Sequence, residues 1–393
     1  MLDGRRVLLA VTGGVAAYKS AYLARRLVEA NAEVRVLLTD SALEFIGPQT
    51  FAAIIGSQPY TSLFSEERSV SPHTELARWA HLIVVAPSTA NTIAKIASGI
   101  ASDLVSATLL TASCPVLLAP AMHTEMWENP ATKRNLQSLA EDGYQFVGPH
   151  SGPLAGGDIG MGRVAEPDEI VEAVEALLTP RDDALKLLVT AGGTKEAIDP
   201  VRYVGNRSSG KMGHAIANEA AGRQFLVTLV TSSDLPAASG VKIISVETAQ
   251  EMADAVAEVE TDIAVMAAAV ADFRPAEPTE TKISRSGDPD PIRLEPTPDV
   301  LASVVARDDR PLVVGFAAET GGVERAIEKA KKKKVDFLVY NDVTEPASGF
   351  GTDTNRVVVI NREGQTDSWP LMTKDEVAAR ILDLIVSETA ASE

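Results

Sequence analysis

The residues Pro120 to Trp127, PAMHTEMW, put a histidine where the apolar run CPVLLA must end as a strand. The pair His123 and Glu125 matches the H-x-E that opens a zinc deaminase signature, but that metal cage needs a later C-x-x-C. The chain has a single cysteine, Cys114, so such a site is excluded. A histidine at a strand end can also be a plain loop side chain, and the rest of the chain has to decide between the two readings. Other chemistry-bearing groups gather at strand ends. TGGVAAYK, Thr12 to Lys19, places Gly13 and Gly14 at a strand-to-helix turn, where bare backbone N–H groups can approach a phosphate. The spacing is not G-x-G-x-x-G, so a dinucleotide fingerprint is absent and a flavin mononucleotide stays possible. Thr39 and Ser41 follow the second strand, and Ser88, Asn91 and Thr92 follow the third. Each alone would serve equally well as a helix cap. Further on, GNRSSGKM, Gly205 to Met212, satisfies G-x-x-x-x-G-K but has Met212 where a P-loop needs Ser or Thr for magnesium. Its serine-glycine turn, Ser208 to Gly210, could still hold a phosphate through its amides. The basic run KAKKKK, Lys329 to Lys334, reads either as a solvated helix end or as a cationic flap over phosphates.

The elements that must position these groups are short β-rich runs alternating with helical patterns, which predicts α/β folding with helix-covered parallel sheets. In the first half the strands are RVLLAVT, EVRVLLT, HLIVVAP, PVLLAP and YQFVG; in the second, LKLLVTAGG, FLVTLVTS, VKIISV, DIAVMAAA, PLVVGFAA, DFLVYND and RVVVIN, before a final helix. The aperiodic TPRDDA, Thr179 to Ala184, separates them, giving expected domains 1–180 and 184–393. The Pro-rich region Pro275 to Pro298 is expected to be a long loop of the kind that serves as a lid. A net charge of −18 over 393 residues argues against nucleic acid as partner. No apolar run reaches a membrane span, no signal peptide is visible, and one cysteine fits a reducing compartment, so a cytoplasmic protein is expected.

Over essentially its whole length the chain resembles the bifunctional coenzyme A biosynthesis proteins, in which phosphopantothenoylcysteine decarboxylase is fused to phosphopantothenate–cysteine ligase. The resemblance rests on TGGVAAYK, HTEL, APSTANTIAKIASGIASDLV, PAMHTEMW and GGDIGMGR in the first half. In the second it rests on TAGGTKEAIDPVRYVGNRSSGKMG, AAAVADF, TKI, VGFAAET, KKKKVDFLVYND and FGTDTN. It implies a flavodoxin-like, Rossmann-like FMN domain followed by a Rossmann-like ligase domain. The implied ligase activates 4'-phosphopantothenate with CTP and Mg2+ to an acyl-CMP and couples it to cysteine. The implied decarboxylase uses FMN to convert phosphopantothenoylcysteine to 4'-phosphopantetheine, oxidising the thiol-bearing carbon so that CO2 can leave.

The resemblance also implies roles for single residues. His73 would be a catalytic base. The segment with Met122, His123 and Met126 would grip the substrate carboxylate, and Gly152 to Arg163, including Gly156, would be a flap. FMN would lie against Gly13, Gly14, Thr39, Ser41, Ser88, Asn91 and Thr92. In the ligase, Asn206 would act on the acyl intermediate with Ser208, Ser209 and Gly210 beside the substrate. Met266, Ala267, Ala268, Asp272, Lys282, Pro298, Asp299, Val300, Leu301, Phe316, Lys329 and Lys333 would hold CTP. Metal ligands stay open, and a homo-oligomer is expected. Two positions depart from the family pattern: His123 stands where many members have Asn, and Gly156 where many have a flap cysteine. His123 is therefore a candidate for both grip and acid. The alternative is an FMN-binding regulatory module joined to an active ligase, which the presence of His73 disfavours. A dehydrogenase fails for want of the glycine fingerprint.

Overall fold

In the computed structural model the described residues are 2–64, 70–283, 291–319, 322–342, 349 and 351–392. The chain divides into two compact units, 1–179 and 180–393. In unit 1, β1 (Arg6–Val11), β2 (Glu33–Leu38), β3 (Leu82–Ser88), β4 (Val116–Pro120) and β5 (Gln145–Phe146) form one parallel sheet in the order β2-β1-β3-β4-β5. The β1 residues Val7 to Val11 are all fully buried, as expected for a strand covered on both faces. The helices Ala17–Glu29 and Pro167–Leu178 pack one face with Leu23, Leu27, Ile170 and Val174; Leu104, Val105 and Leu139 pack the other. A separate hairpin, β6 (His150–Pro153) with β7 (Ile159–Arg163), carries the expected flap.

Unit 2 begins with β8 (Lys186–Ala191), followed by a hairpin of β9 (Lys195–Ala197) and β10 (Tyr203–Gly205). Then come β11 (Leu226–Thr231), β12 (Lys242–Ser245) and β13 (Ile263–Met266). A second hairpin pairs β14 (Phe273–Pro275) with β15 (Leu294–Pro296). The chain continues through β16 (Leu312–Glu319), β17 (Phe337–Asp342), β18 (Thr354–Asn355), β19 (Val358–Asn361), β20 (Thr366–Ser368) and β21 (Met372–Thr373). The main sheet runs β12-β11-β8-β13-β16-β17-β19-β20, with β19 and β20 antiparallel. Its six parallel strands therefore have the 3-2-1-4-5-6 order of dinucleotide-type folds, whereas unit 1 has the 2-1-3-4-5 order.

The Pro-rich stretch differs from a free loop. Its two ends are held together by β14 and β15, and just beyond β14 the Thr279 amide donates to the Ile198 carbonyl at 3.0 Å. Residues 284–290 of that stretch lie outside the described residues. No helix among the described residues is long and apolar enough to cross a membrane.

Candidate active sites

In a doubly wound sheet, ligands bind beyond the strand carboxyl ends where the order reverses, here between β1 and β3 in unit 1. That edge carries a cleft of ≈ 970 Å³. Its wall is built from the ends of three strands: Gly13 and Gly14 after β1, Thr39 and Ser41 after β2, and Thr89, Asn91 and Thr92 after β3. Gly13 has to be glycine because a Cβ there would run into Ser41. The hydroxyls at this edge are tied to one another. Thr12 Oγ1 donates to the Pro87 carbonyl at 2.7 Å, and Thr89 caps the helix Ala90–Ala97 and lies 3.1 Å from Thr92 Oγ1. Ser88 is elsewhere: it is fully buried at the end of β3, its hydroxyl has no partner, and it does not line the cleft. Its neighbour Thr89 takes the lining position. Period-2 alternation would have flagged this, since adjacent strand residues face opposite ways.

The opposite wall is PAMHTEMW with the flap. Met122, His123 and Met126 line the cleft together with Leu154, Ala155 and Arg163. The two segments are fitted backbone to backbone. The Met122 amide donates to the Gly162 carbonyl at 3.0 Å, and Thr124 Oγ1 donates to the Met161 carbonyl at 2.9 Å. Gly162, at φ +138°, lies so close to the Met122 carbonyl that a side chain would collide with it. His123 is the cap residue of the short helix Thr124–Glu128, and its carbonyl accepts from the Met126 and Trp127 amides at 3.0 Å each.

Most of the cleft's cations are already paired. Lys19 Nζ is 2.9 Å from Glu166 Oε1, and Arg163 reaches the same carboxylate. Lys19 and Arg163 hold the Glu166 carboxyl below its usual range. Lys95 Nζ is 2.7 Å from Asp103 Oδ2. Burial opposes the Asp103 charge, but Lys95 and the amide and hydroxyl of Ser106 outweigh it and keep this carboxyl low. The sequence reading missed the Lys95–Asp103 pair. Its signal was present in KIASGIASDLV, a cation eight residues before a capping aspartate.

His73 is not part of the cleft lining. It sits in the first turn of the helix Pro72–Trp79, with its Nδ1 buried and unpartnered.

In unit 2 the order reverses between β8 and β13, and the residues after those strands interlock. Asn206 Nδ2 donates to the Ala269 carbonyl at 3.2 Å and to the Val270 carbonyl at 3.0 Å. The Ala268 amide donates to Thr190 Oγ1 at 3.2 Å, and the Ala271 amide to Thr194 Oγ1 at 2.9 Å. The turn Ser208 to Gly210 leads into the helix Lys211–Gly222, and the Ser209 carbonyl accepts from Ser233 Oγ at 3.1 Å. Asn206 and the Met266–Ala268 edge are thus brought together.

Lys211 does not behave as a P-loop lysine. Its ammonium is 2.6 Å from Asp353 Oδ1 and donates to the Gly351 carbonyl at 3.2 Å, latching the GTDTN stretch onto the helix start. A second lysine, buried Lys374, donates to the Thr352 carbonyl within that stretch and to the Gly349 carbonyl two residues before it; burial and the nearby Lys211 charge push its ammonium below the usual lysine range.

The remaining expected nucleotide residues form a second group. Asp299 caps the helix Val300–Val305 through the Ala302 amide at 3.0 Å and is ion-paired with Lys333 at the end of the helix Val323–Lys333. Burial works against the Asp299 charge, yet Lys333, the Ala302 amide and Lys329 together hold its carboxyl low. Val300 is buried, Leu301 and Phe316 are partly buried in the two cores, and Pro298 precedes the cap. Asp272 is exposed at the head of β14, and its carbonyl accepts from the Thr297 amide at 3.1 Å.

Lys282 is exposed, and its neighbour Ile283 is clamped. Buried Asp199 accepts from the Ile283 amide at 3.2 Å and from Arg202 Nε at 2.9 Å, while Arg202 donates onward to the Ile283 carbonyl at 2.8 Å. Arg202 holds the Asp199 carboxyl well below the usual carboxylate range, with the Val201, Ile283 and Arg202 amides adding to it against burial. Among the described residues no cluster of three or more His, Cys, Asp or Glu side chains could hold a metal.

Two families match these units separately. The Flavoprotein family matches residues 1–179, and the family described as DNA/pantothenate metabolism flavoprotein C-terminal domain matches residues 183–389. The coenzyme A biosynthesis bifunctional protein CoaBC of Bacillus subtilis is 41% identical over 398 residues, covering 98% of both chains. The chain belongs to the CoaBC family. The CoaBC of Mycobacterium bovis is 45% identical over 414 residues, again covering 98% of each chain. A solved structure described as FMN-dependent cysteine decarboxylases SpaF is 31% identical, with a TM-score of 0.39, over 44% of this chain and 99% of its own. The cleft belongs to the Flavoprotein half and the Asn206 and Asp299 groups to the other.

Proposed function

We propose that this bifunctional enzyme of coenzyme A biosynthesis makes phosphopantothenoylcysteine in unit 2 and decarboxylates it to 4'-phosphopantetheine in unit 1. The observation that carries the reading is that the two matched families meet end to end at the boundary of the two units. Unit 1 would take FMN, which when bound would supply reversible two-electron redox chemistry at the substrate. The residues suit such a group: Gly13 and Gly14 leave backbone where a phosphate has to approach, and Thr39, Ser41, Asn91 and Thr92 offer donors around it. Met122, His123 and Met126 grip the substrate on the other wall, and the hairpin from Gly152 to Arg163 excludes water above it.

His73 is assigned as the base of the oxidative step. It lies outside the lining of its own unit's cleft, so a homo-oligomer is part of the proposal: a second copy is what could bring that imidazole to a cleft. Unit 2 uses CTP. A carboxylate is a poor electrophile until it carries a leaving group, and a cytidylate anhydride provides one. Asn206 would face the acyl group, with Ser208, Ser209 and Gly210 beside the substrate. Met266, Ala267, Ala268, Asp272, Lys282, Pro298 to Leu301, Phe316, Lys329 and Lys333 would surround the nucleotide. Mg2+ would ride on the nucleotide phosphates with most of its waters, as suits an ion that dehydrates reluctantly, rather than in a protein cage. A cytoplasmic location goes with this metabolism.

The test separates the halves. A fragment from Ala184 onward is expected to form phosphopantothenoylcysteine from phosphopantothenate, cysteine and CTP without FMN. A folded fragment that is inert with every nucleotide would overturn the assignment of the ligase to unit 2.

A further inference from the structure

Replacing a carboxylate by hydrogen takes up one proton and no net electrons. In the reaction proposed for unit 1, on which this inference rests, the hydride taken from the sulfur-bearing carbon goes back to that carbon. The carbon that held the carboxylate keeps the electron pair of the broken C–C bond, delocalised onto sulfur as an enethiolate. It must then be protonated by an acid in the cleft, or the returning hydride has no thiocarbonyl to enter.

Few groups in the cleft are free to do this. Lys19 and Arg163 share Glu166, and Lys95 is held by Asp103. Asp40 and Tyr18 also line it, but carboxylic acids and phenols as classes exchange protons far from neutral pH. His123 is different. Imidazole is the side chain that ordinarily changes charge between pH 5 and 8, and this ring has no hydrogen-bond or ionic partner among the described residues. Its backbone is nevertheless fixed: Met122 and Thr124 on either side are bonded to β7. The flap tip lies against one side of the ring, which remains exposed. A Cβ built on Gly156 would stand 3.1 Å from His123 Cε1, 3.8 Å from its Nδ1 and 3.4 Å from Asp158 Oδ2. A side chain at 156 would press on the imidazole, which would have to give by a few tenths of an ångström, so glycine lets the flap tip and this ring sit together without displacement.

We propose that His123, held beneath Gly156 of the flap, is the acid that protonates the carbon from which CO2 has left. The histidine and the glycine form a matched pair: the ring fills the space a side chain at 156 would need, and the bare flap backbone lies against the acid. The proton passes from the imidazolium to the enethiolate carbon, regenerating a thiocarbonyl, and the imidazole is recharged from solvent after product leaves.

The experiment uses the full chain with FMN under anaerobic single turnover, with phosphopantothenoylcysteine added directly. His123→Asn, whose amide keeps a hydrogen-bonding grip on the substrate, is expected to slow 4'-phosphopantetheine formation ~10²-fold or more beyond any slowing of CO2 release, with the flavin left reduced, since a positioned acid is worth ~10²–10⁴-fold. Gly156→Ala is expected to slow the same late step, and the double variant to be no slower than His123→Asn alone. Product formation by His123→Asn at the parent rate would overturn the acid assignment, as would CO2 release and product formation falling by the same factor. Additive effects of the two substitutions would overturn the pairing. Amide exchange in the FMN-free chain gives a readout independent of turnover: Gly156→Ala should deprotect residues 154–158, and adding His123→Ala should restore them. Absence of both changes would equally overturn the pairing. If the parent chain itself released no CO2 with FMN bound, the decarboxylase reading would fail, which is distinct from failure of His123.

Discussion

The two units meet one problem with different weight on the same devices. Both gather their candidate site residues beyond a parallel sheet where the strand order reverses, after β1 and β3 in unit 1 and after β8 and β13 in unit 2. Unit 1 encloses its cleft by close backbone approach: Gly13 against Ser41, Gly162 against Met122, Gly156 over His123. Unit 2 has such glycine contacts too, Gly193 against Asn206 and Gly205 against Thr194, and adds charged latches on its loops: Asp199–Arg202 on Ile283, Lys211–Asp353 and Lys374 on the GTDTN stretch, Asp299–Lys333 between two helices. A surface made by missing side chains is fixed whatever the solution does. A surface made by ion pairs can trade partners with an anionic ligand, which suits a half proposed to bind a triphosphate and release pyrophosphate.

The largest effect should come from breaking the fitted surface. Gly162→Val puts branched carbon against the Met122 carbonyl, and a misplacement of about 1 Å at a reacting centre can cost ~10²-fold in rate. Decarboxylation should fall by at least that factor while ligation in the same protein is unchanged; equal loss in both assays would show global misfolding instead. His73→Asn should stop CO2 release without altering the flavin spectrum, because it removes a base and not packing; full activity would remove His73 from the reaction. Next come the latches. Lys333→Gln or Lys282→Gln should raise the nucleotide KM about tenfold, the factor that corresponds to ~1.4 kcal/mol of binding. An unchanged KM in both would dissociate this group from the nucleotide.

The smallest effects are on the pH dependence of unit 2. His214 is buried between the Pro236 carbonyl and Thr231 Oγ1, and burial depresses its pKa below the ordinary 6.5. The unfolded chain therefore gains its proton first, so stability is complete above about pH 6.5 and is lost as pH falls from there toward the folded-state value. His214→Gln should flatten that slope in thermal melts. Asp199 works in the same direction at lower pH: its stabilisation is present above the ordinary 3.8 and is lost as pH drops below it. An Asp199→Asn melt that still shows the acid transition would place its origin elsewhere.

The strands were legible because buried parallel strands are continuous apolar runs; β1, β3, β8 and β13 all coincide with such runs. The cleft's sequence-derived residues Gly13, Gly14, Thr39, Ser41, Asn91 and Thr92 do meet, because strand carboxyl ends in this topology point at one place. Ser88 was misplaced by a single residue, which in a strand turns the side chain to the other face. The fit of His123 to Gly156 could not be read at all, since it depends on where a hairpin 30 residues away folds back. The lysine latches were equally hidden: nothing in GNRSSGKM announces that Lys211 is claimed by Asp353, 142 positions later.

Asp299 has two jobs at once, capping the helix Val300–Val305 with one carboxylate oxygen and holding Lys333 with the other. A nucleotide phosphate at Lys333, as proposed, would take the cation without unwinding the helix, because the capping bond stays. The event is an ion exchange, in which one contact is broken as another is made and the charge displaced remains on a carboxylate that still has the Ala302 amide and Lys329 beside it. Screening by salt weakens the old contact along with the new one. Nucleotide binding here should for that reason respond to ionic strength less steeply than the number of lysines around the site would suggest.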